Sequence, residues 1–276
     1  GGTGKTSLVG SFAALSAGDS VMVDGDVDAA NLSLIMNPEV KEEYDFIASK
    51  VAFINREKCT ECGLCRDLCR FEAINLQYEV DPVGCEGCSF CFYACPEEAV
   101  DMRTQLSGRW FVSGTPYGFL VHARLGIAEE NSGKLVTTIR NKGEELAENE
   151  SKDLLIIDGP PGIGCPVIAS LSGVDAALVV TEPTVSGIHD LKRVIELCEH
   201  FNVKASICIN RFDLDSEQAE AIEDYCERKN LDMIGRIPFN RAFVDSMVKG
   251  LPVVKYGPDD LRENIKGIWN NILNSI

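Results

Sequence analysis

The chain has 276 residues, of which 45% are hydrophobic, and its formal net charge at pH 7 is −17. This strongly acidic balance argues against DNA or an anionic membrane surface as a partner. No apolar run reaches the roughly 18 residues that a transmembrane helix needs. We therefore expect a cytoplasmic protein with no nucleic-acid and no membrane partner.

The chain opens on a glycine-rich segment that is typical of the end of a phosphate-binding loop. Its seven residues are Gly1, Gly2, Thr3, Gly4, Lys5, Thr6 and Ser7. Such a loop directs backbone N–H groups and a helix N-terminus at phosphates, with its lysine on the β- and γ-phosphates and a hydroxyl on Mg²⁺. The full signature includes a preceding buried strand, which we expect upstream of Gly1. A chance Gly-Lys-Thr after a flexible tag is the alternative for this motif alone.

A buried strand is predicted at Val21–Asp24, and an acidic segment continues from its last residue to Asn31. Ligands of open α/β sheets bind at the carboxyl ends of the strands, so Asp24, Asp26 and Asp28 are candidates for a site. The alternative for Asp24 and Asp28 is a structural role, as a strand-end and a helix-cap carboxylate, and for Asp28 we favour it because aspartate is a preferred N-cap residue.

Eight of the twelve cysteines form two runs with the same spacing, C-x2-C-x2-C-x3-C. This is the bacterial ferredoxin spacing for 4Fe–4S clusters, in which the fourth cysteine of a run ligates the other cluster. By that rule, one cluster is held by Cys59, Cys62, Cys65 and Cys95. The other is held by Cys85, Cys88, Cys91 and Cys69.

Disulfides and structural zinc are the alternatives for these cysteines. Disulfides need an oxidising compartment, and no signal peptide is visible. Zinc sites usually separate two ligand pairs by roughly a dozen residues or more. One departure from the ferredoxin pattern is Arg70 after Cys69, where the second run has Pro96 after its last cysteine. We predict a small α+β ferredoxin-like domain at residues 50–104, held together by its clusters.

Short apolar pieces flank the two cysteine runs and are predicted as strands: Val51–Ile54, Ile74–Gln77, Tyr78–Val80 and Val100–Arg103. The rest of the chain alternates apolar runs with helical patterns. The strand candidates after residue 104 are Leu154–Asp158, Ala176–Thr181, Ala205–Asn210 and Met233–Ile237. The helical candidates include Ile188–Phe201 and Ser216–Lys229. The alternation predicts an α/β domain with a doubly wound, mostly parallel sheet, formed by residues 1–49 and 105–276.

Several of these motifs together resemble the MinD/ParA/Mrp class of P-loop ATPases, which includes the nitrogenase iron protein. They are the opening loop, the Asp24–Asn31 segment and Asp158-Gly-Pro-Pro-Gly162. The segments Thr181–Asp190 and His122–Asn131, with the cysteine runs, resemble MinD-type ATPases that carry an inserted ferredoxin domain. Family members have a signature lysine directly before the position of Gly1, which reaches into the nucleotide of a partner subunit.

The resemblance implies a role for each matching residue. Lys5 contacts the β- and γ-phosphates, Thr6 binds Mg²⁺ and Ser7 lies on the α-phosphate side. Asp26 orients the attacking water, and Asp158 holds Mg²⁺ through water. Asn210 matches the position that recognises adenine, and Pro238 matches the loop that lines the base.

Four cysteines lie outside the two runs. Cys198, Cys208 and Cys226 fall within helical or strand patterns and are expected in the core. Cys165 stands seven residues after Asp158, where the nitrogenase iron protein has a cluster-ligating cysteine. We favour a packed residue there and keep a redox role as the alternative.

The sequence thus predicts an ATP-, Mg²⁺- and cluster-binding ATPase that dimerises on ATP and hydrolyses it slowly without a client. Two functions for the clusters follow from the resemblance: maturation of a metallocluster protein, or electron delivery to a redox client. The alternative from a different class is a positioning switch, like ParA or MinD, in which the clusters are only a structural brace.

Overall fold

The computed structural model describes residues 2–126 and 132–276. The chain divides into two compact units. The phosphate-loop unit comprises Gly1–Glu43, Trp110–Ala123 and Ser132–Ile276. The cysteine unit comprises Tyr44–Arg109 and Arg124–Asn131. The division at residues 50 and 104 stays a prediction. Gly1 and the last five residues of the His122–Asn131 segment lie outside the described residues.

The helices are α1 (Lys5–Leu15), α2 (Ser33–Met36), α3 (Leu64–Asp67), α4 (Phe90–Ala94), α5 (Ser132–Asn149), α6 (Cys165–Leu171), α7 (Val185–Phe201), α8 (Ser216–Lys229), α9 (Ala242–Lys249), α10 (Val253–Tyr256) and α11 (Asp259–Leu273). The strands are β1 (Ser20–Asp24), β2 (Glu39–Ile54), β3 (Val100–Thr115), β4 (Gly118–Leu125), β5 (Leu154–Asp158), β6 (Ala176–Thr181), β7 (Lys204–Asn210) and β8 (Asp232–Ile237). None of the helices in the described part of the chain is long and apolar enough to cross a membrane.

The strands form a five-stranded sheet in the order β2-β3-β4-β1-β5 and a three-stranded sheet in the order β6-β7-β8. β1 pairs in parallel with both β4 and β5, and the second sheet is parallel throughout. The neighbours β3 and β4 are joined by only Pro116 and Tyr117, a link that suits antiparallel strands. The α/β class is confirmed, whereas the central sheet is mixed.

No strand was predicted at Gly118–Leu125, because a histidine and an arginine interrupt its short apolar run. β4 nevertheless lies between β3 and β1, where His122 is buried and its Nε2 lies 2.9 Å from the Ser113 hydroxyl. A polar residue can occupy a buried strand when it has such a partner.

The core of the phosphate-loop unit lies around α1 and β1. All five residues of β1 are buried, which explains the apolar run Val21, Met22 and Val23 at its centre. On α1, Leu8 and Phe12 join a buried cluster with residues of α10 and α11. The ring of Phe12 stacks on Trp269 at 5.1 Å between centroids. The start of α1, where the phosphate loop ends, is therefore held by a large apolar core.

The cysteine unit has a smaller core. It contains Ala52, Ile54, Tyr78 and Val100, with partly buried cysteines of both runs packed around them. The predicted strands Ile74–Gln77 and Tyr78–Val80 are wrong, since the structure has only an isolated antiparallel bridge between Ile74 and Val80. Asn75, Leu76 and Gln77 between them are exposed and form a turn.

Candidate nucleotide site and cysteine cavities

The phosphate loop turns into α1 through two glycines in the left-handed region. Gly2 has φ of 91° and Gly4 has φ of 90°, values that other residues adopt only at a cost. Gly4 is the N-cap of α1, and no side chain caps the helix. The first N–H groups of α1 are thus left for a ligand, as in helix N-termini that bind phosphate.

Asp158 lies at the end of β5, directly opposite Asp24 at the end of β1. Asp158 is 1% exposed, and among the described residues no donor meets the full hydrogen-bond geometry with its carboxylate, although the Thr6 hydroxyl is close enough to act on it. Burial raises the pKa of Asp158 to about 6, against the opposing effect of the nearby Thr6 hydroxyl and the Lys5 ammonium. A buried carboxylate without a full hydrogen bond is costly, so this position suits a cation. Asp158 and Thr6 therefore fit a Mg²⁺ site.

Asp24 shapes the loop that carries Asp26. One carboxylate oxygen accepts the backbone N–H of Asp26 at 3.3 Å, and the other accepts that of Leu32 at 3.1 Å. Burial and the neighbouring Asp158 raise the pKa of Asp24 to about 8. These contacts fit the structural, strand-end role that is the alternative for Asp24, although the two backbone partners were not predicted.

Asp26 is partly buried beside the phosphate loop. Burial raises its pKa, while Lys5 lowers it, so the two charges face each other closely enough to interact. Asp26 also raises the pKa of Asp158. The fold thus brings Lys5, Thr6, Asp26 and Asp158 to one place. The helix-cap role expected for Asp28 is wrong, because α2 begins at Ser33 and Asp28 is exposed.

Asn210 and Pro238 follow two neighbouring strands. Asn210 is 2% exposed at the end of β7, and its Nδ2 donates to the backbone oxygen of Thr3 at 2.8 Å. Ile237, the residue before Pro238, pairs with Asn210 across β7 and β8. Asn210 therefore contacts the phosphate loop itself, whereas Pro238 follows the adjacent strand.

The cysteine unit contains two cavities that are partly open to solvent. Four cysteines line the first cavity: Cys59, Cys62, Cys65 and Cys95. Four others line the second cavity: Cys69, Cys85, Cys88 and Cys91. Each cavity thus takes three cysteines from one run and the last cysteine of the other run.

Comparison with known proteins matches residues 1–253 to the CobQ/CobB/MinD/ParA nucleotide binding domain. The chain belongs to this family. It is accordingly a nucleotide-binding P-loop ATPase, and the predicted family and activity are confirmed.

An uncharacterized protein of Methanocaldococcus jannaschii is 37% identical over 214 residues, which span 76% of this chain and 75% of the relative. The iron-sulfur cluster carrier protein of Pyrococcus abyssi is 24% identical over 140 residues, about 46% of this chain and 47% of that protein. The structure of the septum site-determining protein MinD with Mg-ADP from Pyrococcus horikoshii superposes with a TM-score of 0.60 at 16% identity. That match covers 99% of this chain and 91% of MinD, and at this identity it shows the fold alone.

The cysteine cavities of this ATPase have the donor chemistry of an iron–sulfur site. All eight thiols are free, and soft thiolate ligands favour Fe–S clusters, zinc and Cu(I). Burial raises the pKa of Cys91 to about 11 and also raises that of Cys65, with neighbouring thiols adding to both shifts. Bound iron would favour the thiolate forms. In residues 2–126 and 132–276, no group of three or more His, Cys, Asp or Glu is arranged to hold a single metal ion.

Of the four cysteines outside the two runs, three are buried as predicted and one is not. Cys198, Cys208 and Cys226 are at most 2% exposed, and burial raises the pKa of each. Cys165 is exposed, so the expectation of a packed residue is wrong. It is the first residue of α6, where the helix begins at the surface.

Proposed function

We propose that this ATPase couples its nucleotide state to the chemistry of two 4Fe–4S clusters. The observation that carries the proposal is the lining of the two cavities. Each holds four cysteines, and the fourth crosses over from the other run, as in two-cluster bacterial ferredoxins. Such clusters exchange single electrons when bound. The resemblance of half the chain to iron-sulfur cluster carrier proteins of two Pyrococcus species supports the same proposal.

The residues of the nucleotide site support ATP hydrolysis because they place charged and polar groups around the triphosphate. Lys5 neutralises the β- and γ-phosphates, and Asp26 orients the attacking water. Thr6 and Asp158 hold Mg²⁺, which the buried carboxylate of Asp158 suits. Phosphoryl transfer depends mainly on such positioning and electrostatic stabilisation. We propose that ATP also brings two copies of the chain together and that the client is a metallocluster or redox protein.

A second function, a MinD-like positioning switch with structural clusters, is favoured by one observation. Septum site-determining MinD proteins of Synechocystis and Thermotoga maritima are 31% and 29% identical to this chain over 37% and 44% of its length. In that case the clusters would brace the small core of the cysteine unit and leave the nucleotide cycle unaffected.

The test is anaerobic reconstitution followed by iron and acid-labile sulfide analysis. We expect about eight of each per chain, because two complete four-cysteine sets are present. Zinc without iron-thiolate absorption would contradict the proposal. Addition of the loaded protein to an apo-ferredoxin, with and without ATP, then separates the functions. ATP-dependent transfer of labelled iron supports maturation, and unchanged transfer with an unchanged cluster potential supports the brace.

A further inference from the structure

The two four-cysteine sets differ in the hydrogen bonds that reach their sulfur atoms. In the set of the first cavity, the backbone N–H of Glu61 donates to Cys59 Sγ at 3.4 Å, and that of Ala99 donates to Cys95 Sγ at 3.3 Å. Among the described residues, no N–H group meets the same geometry with a sulfur of the second set. Hydrogen bonds to the sulfurs are one of the factors that set the reduction potential of an iron–sulfur cluster.

Other features of the thiols are similar in the two sets. Burial raises the pKa of Cys65 and of Cys91, and in each case the backbone N–H of the next residue, Arg66 or Phe92, acts in the opposite direction. Each set also has one exposed cysteine. The donors to Cys59 and Cys95 are therefore an addition that the first set alone has among the described residues.

The charged residues near the two cavities do not cancel this difference. Each cavity is lined by one glutamate, Glu97 in the first and Glu86 in the second. The second set has a cation next to it in the chain, because Arg70 directly follows Cys69. Arg70 is exposed, and water and salt weaken the field of an exposed charge. The backbone donors lie in direct contact with the sulfurs, so we expect their effect to be the larger one.

Tyr78 holds the turn that supplies one of these donors. It lines the first cavity, is 9% exposed, and donates its hydroxyl to the backbone oxygen of Glu61 at 2.6 Å. Both residues have positive φ, 55° for Tyr78 and 57° for Glu61, which is uncommon for residues with side chains. Such a backbone costs free energy and persists only where its surroundings fix it. The hydrogen bond between the two residues therefore stabilises the turn that directs the Glu61 N–H at Cys59.

We propose that Tyr78 positions the Glu61 N–H so that the cluster of the first set has the higher reduction potential of the two. This inference rests on the proposed function, because it requires bound clusters. Reduction adds one negative charge, and N–H donors to the ligand sulfurs stabilise that charge. With one electron per chain, we expect the first set to hold it at least about ten times as often as the second, which corresponds to about 59 mV. The second set is then the stronger reductant.

The test is stepwise reduction of the reconstituted protein, followed by potentiometry and EPR spectroscopy. We expect two one-electron steps at different potentials. Tyr78→Phe keeps the ring and removes only the hydroxyl. It should lower the higher of the two potentials and leave the lower potential and the iron content unchanged. A merely structural role would change iron content or melting temperature without moving one potential alone.

Cys62→Ala gives a second measurement that does not depend on the folding of Tyr78→Phe. It removes a ligand of the first set, so the 4Fe–4S signal that remains should have the lower of the two wild-type potentials. If the remaining signal has the higher potential, the exposed charge of Arg70 outweighs the hydrogen bonds and the inference is wrong.

Tyr93→Phe is the matched control, because it removes a hydroxyl from a tyrosine of α4 that is 82% exposed. Both of its potentials should equal those of the wild type. Two equal potentials in the wild type, or a shift of the lower potential in Tyr78→Phe, would overturn the inference, while eight bound irons would leave the proposed clusters in place. A protein that binds no iron would overturn this inference and the proposed function together.

Discussion

The two units of the molecule assemble their candidate sites in different ways. In the phosphate-loop unit, strand register and an extensive core place Asp24, Asp158 and α1 before any ligand binds. In the cysteine unit, a small core is surrounded by the cysteines that line the cavities. A core of that size contributes little burial, so we expect the clusters to supply much of its stability. One site is preformed by the fold, and the other depends on its ligand.

The largest expected effect concerns the preformed site. Asp26→Ala should slow ATP hydrolysis by about 10²-fold or more while ATP affinity changes little, because Asp26 acts on the attacking water. Lys5→Ala should instead weaken ATP binding, since it removes a positive charge from the triphosphate. Steady-state hydrolysis and equilibrium binding of an ATP analogue measure the two effects.

The control for Asp26 is Asp19→Ala, which removes an exposed carboxylate between α1 and β1. It should leave hydrolysis within about twofold of wild type, as is usual for surface substitutions away from a site. Iron content should be unchanged in all three variants. Normal hydrolysis by Asp26→Ala would show that the water is oriented by another group.

The next effect is on iron binding by the two four-cysteine sets, each of which takes its fourth cysteine from the other run. Cys69→Ala should lower bound iron from about eight to about four per chain, because it removes the fourth ligand of the Cys85, Cys88 and Cys91 set. Adding Cys88→Ala should cause little further loss, since both cysteines line the same cavity. Adding Cys62→Ala to Cys69→Ala should remove the remaining iron, since Cys62 lines the other cavity.

Cys198→Ala, at a buried position outside both runs, is the control and should keep full iron. The opposite pattern would contradict the crossed assignment. If adding Cys62→Ala to Cys69→Ala removes no further iron, and adding Cys88→Ala removes the remaining iron, then each run holds its own cluster.

The third expected effect is a pH dependence of the stability of the nucleotide-free phosphate-loop unit. The folded pKa of Asp24, about 8, lies above the ordinary aspartate pKa of 3.8, so the folded state binds more protons between those values. Stability contributed by this group is therefore present at low pH and lost as pH rises from about 4 to about 8. Asp24→Asn should make the decline shallower, by up to about 1.4 kcal/mol per pH unit.

Urea unfolding at several pH values without Mg²⁺ measures this slope. Asp28→Asn removes the same charge at an exposed position and controls for net charge. If the free energy of unfolding of Asp24→Asn falls with pH as steeply as that of the wild type, Asp24 is ionised in the folded protein throughout this range.

Local patterns predicted much of this fold. β1, β5 and β6 lie where uninterrupted apolar runs end in a polar residue, and α8 spans the predicted residues. β4 was missed because the partner that makes His122 acceptable in a strand is nine residues away in the chain and visible only after folding.

In the candidate site, too, local motifs could be predicted and contacts between distant residues could not. Lys5, Asp26 and Asp158 could be proposed from motifs, because their spacing is local. The hydrogen bond between Asn210 and Thr3 could not, since it joins residues 207 positions apart in the chain. The structural role of Asp24 depends on how the following loop folds back to bring the N–H groups of Asp26 and Leu32 to its carboxylate, which a sequence pattern does not specify.

The central claim is that nucleotide state and cluster chemistry are coupled. The most direct measurement is the cluster reduction potential of the reconstituted protein with and without a non-hydrolysable ATP analogue and Mg²⁺, together with the mass of the particle in solution. We expect the analogue to produce a dimer and to shift the cluster potential. A ligand that binds one arrangement of the protein more tightly increases its population, and the clusters then take the potential of that arrangement. Identical potentials and an unchanged monomer in both states would contradict the account and would favour clusters that serve only as a brace.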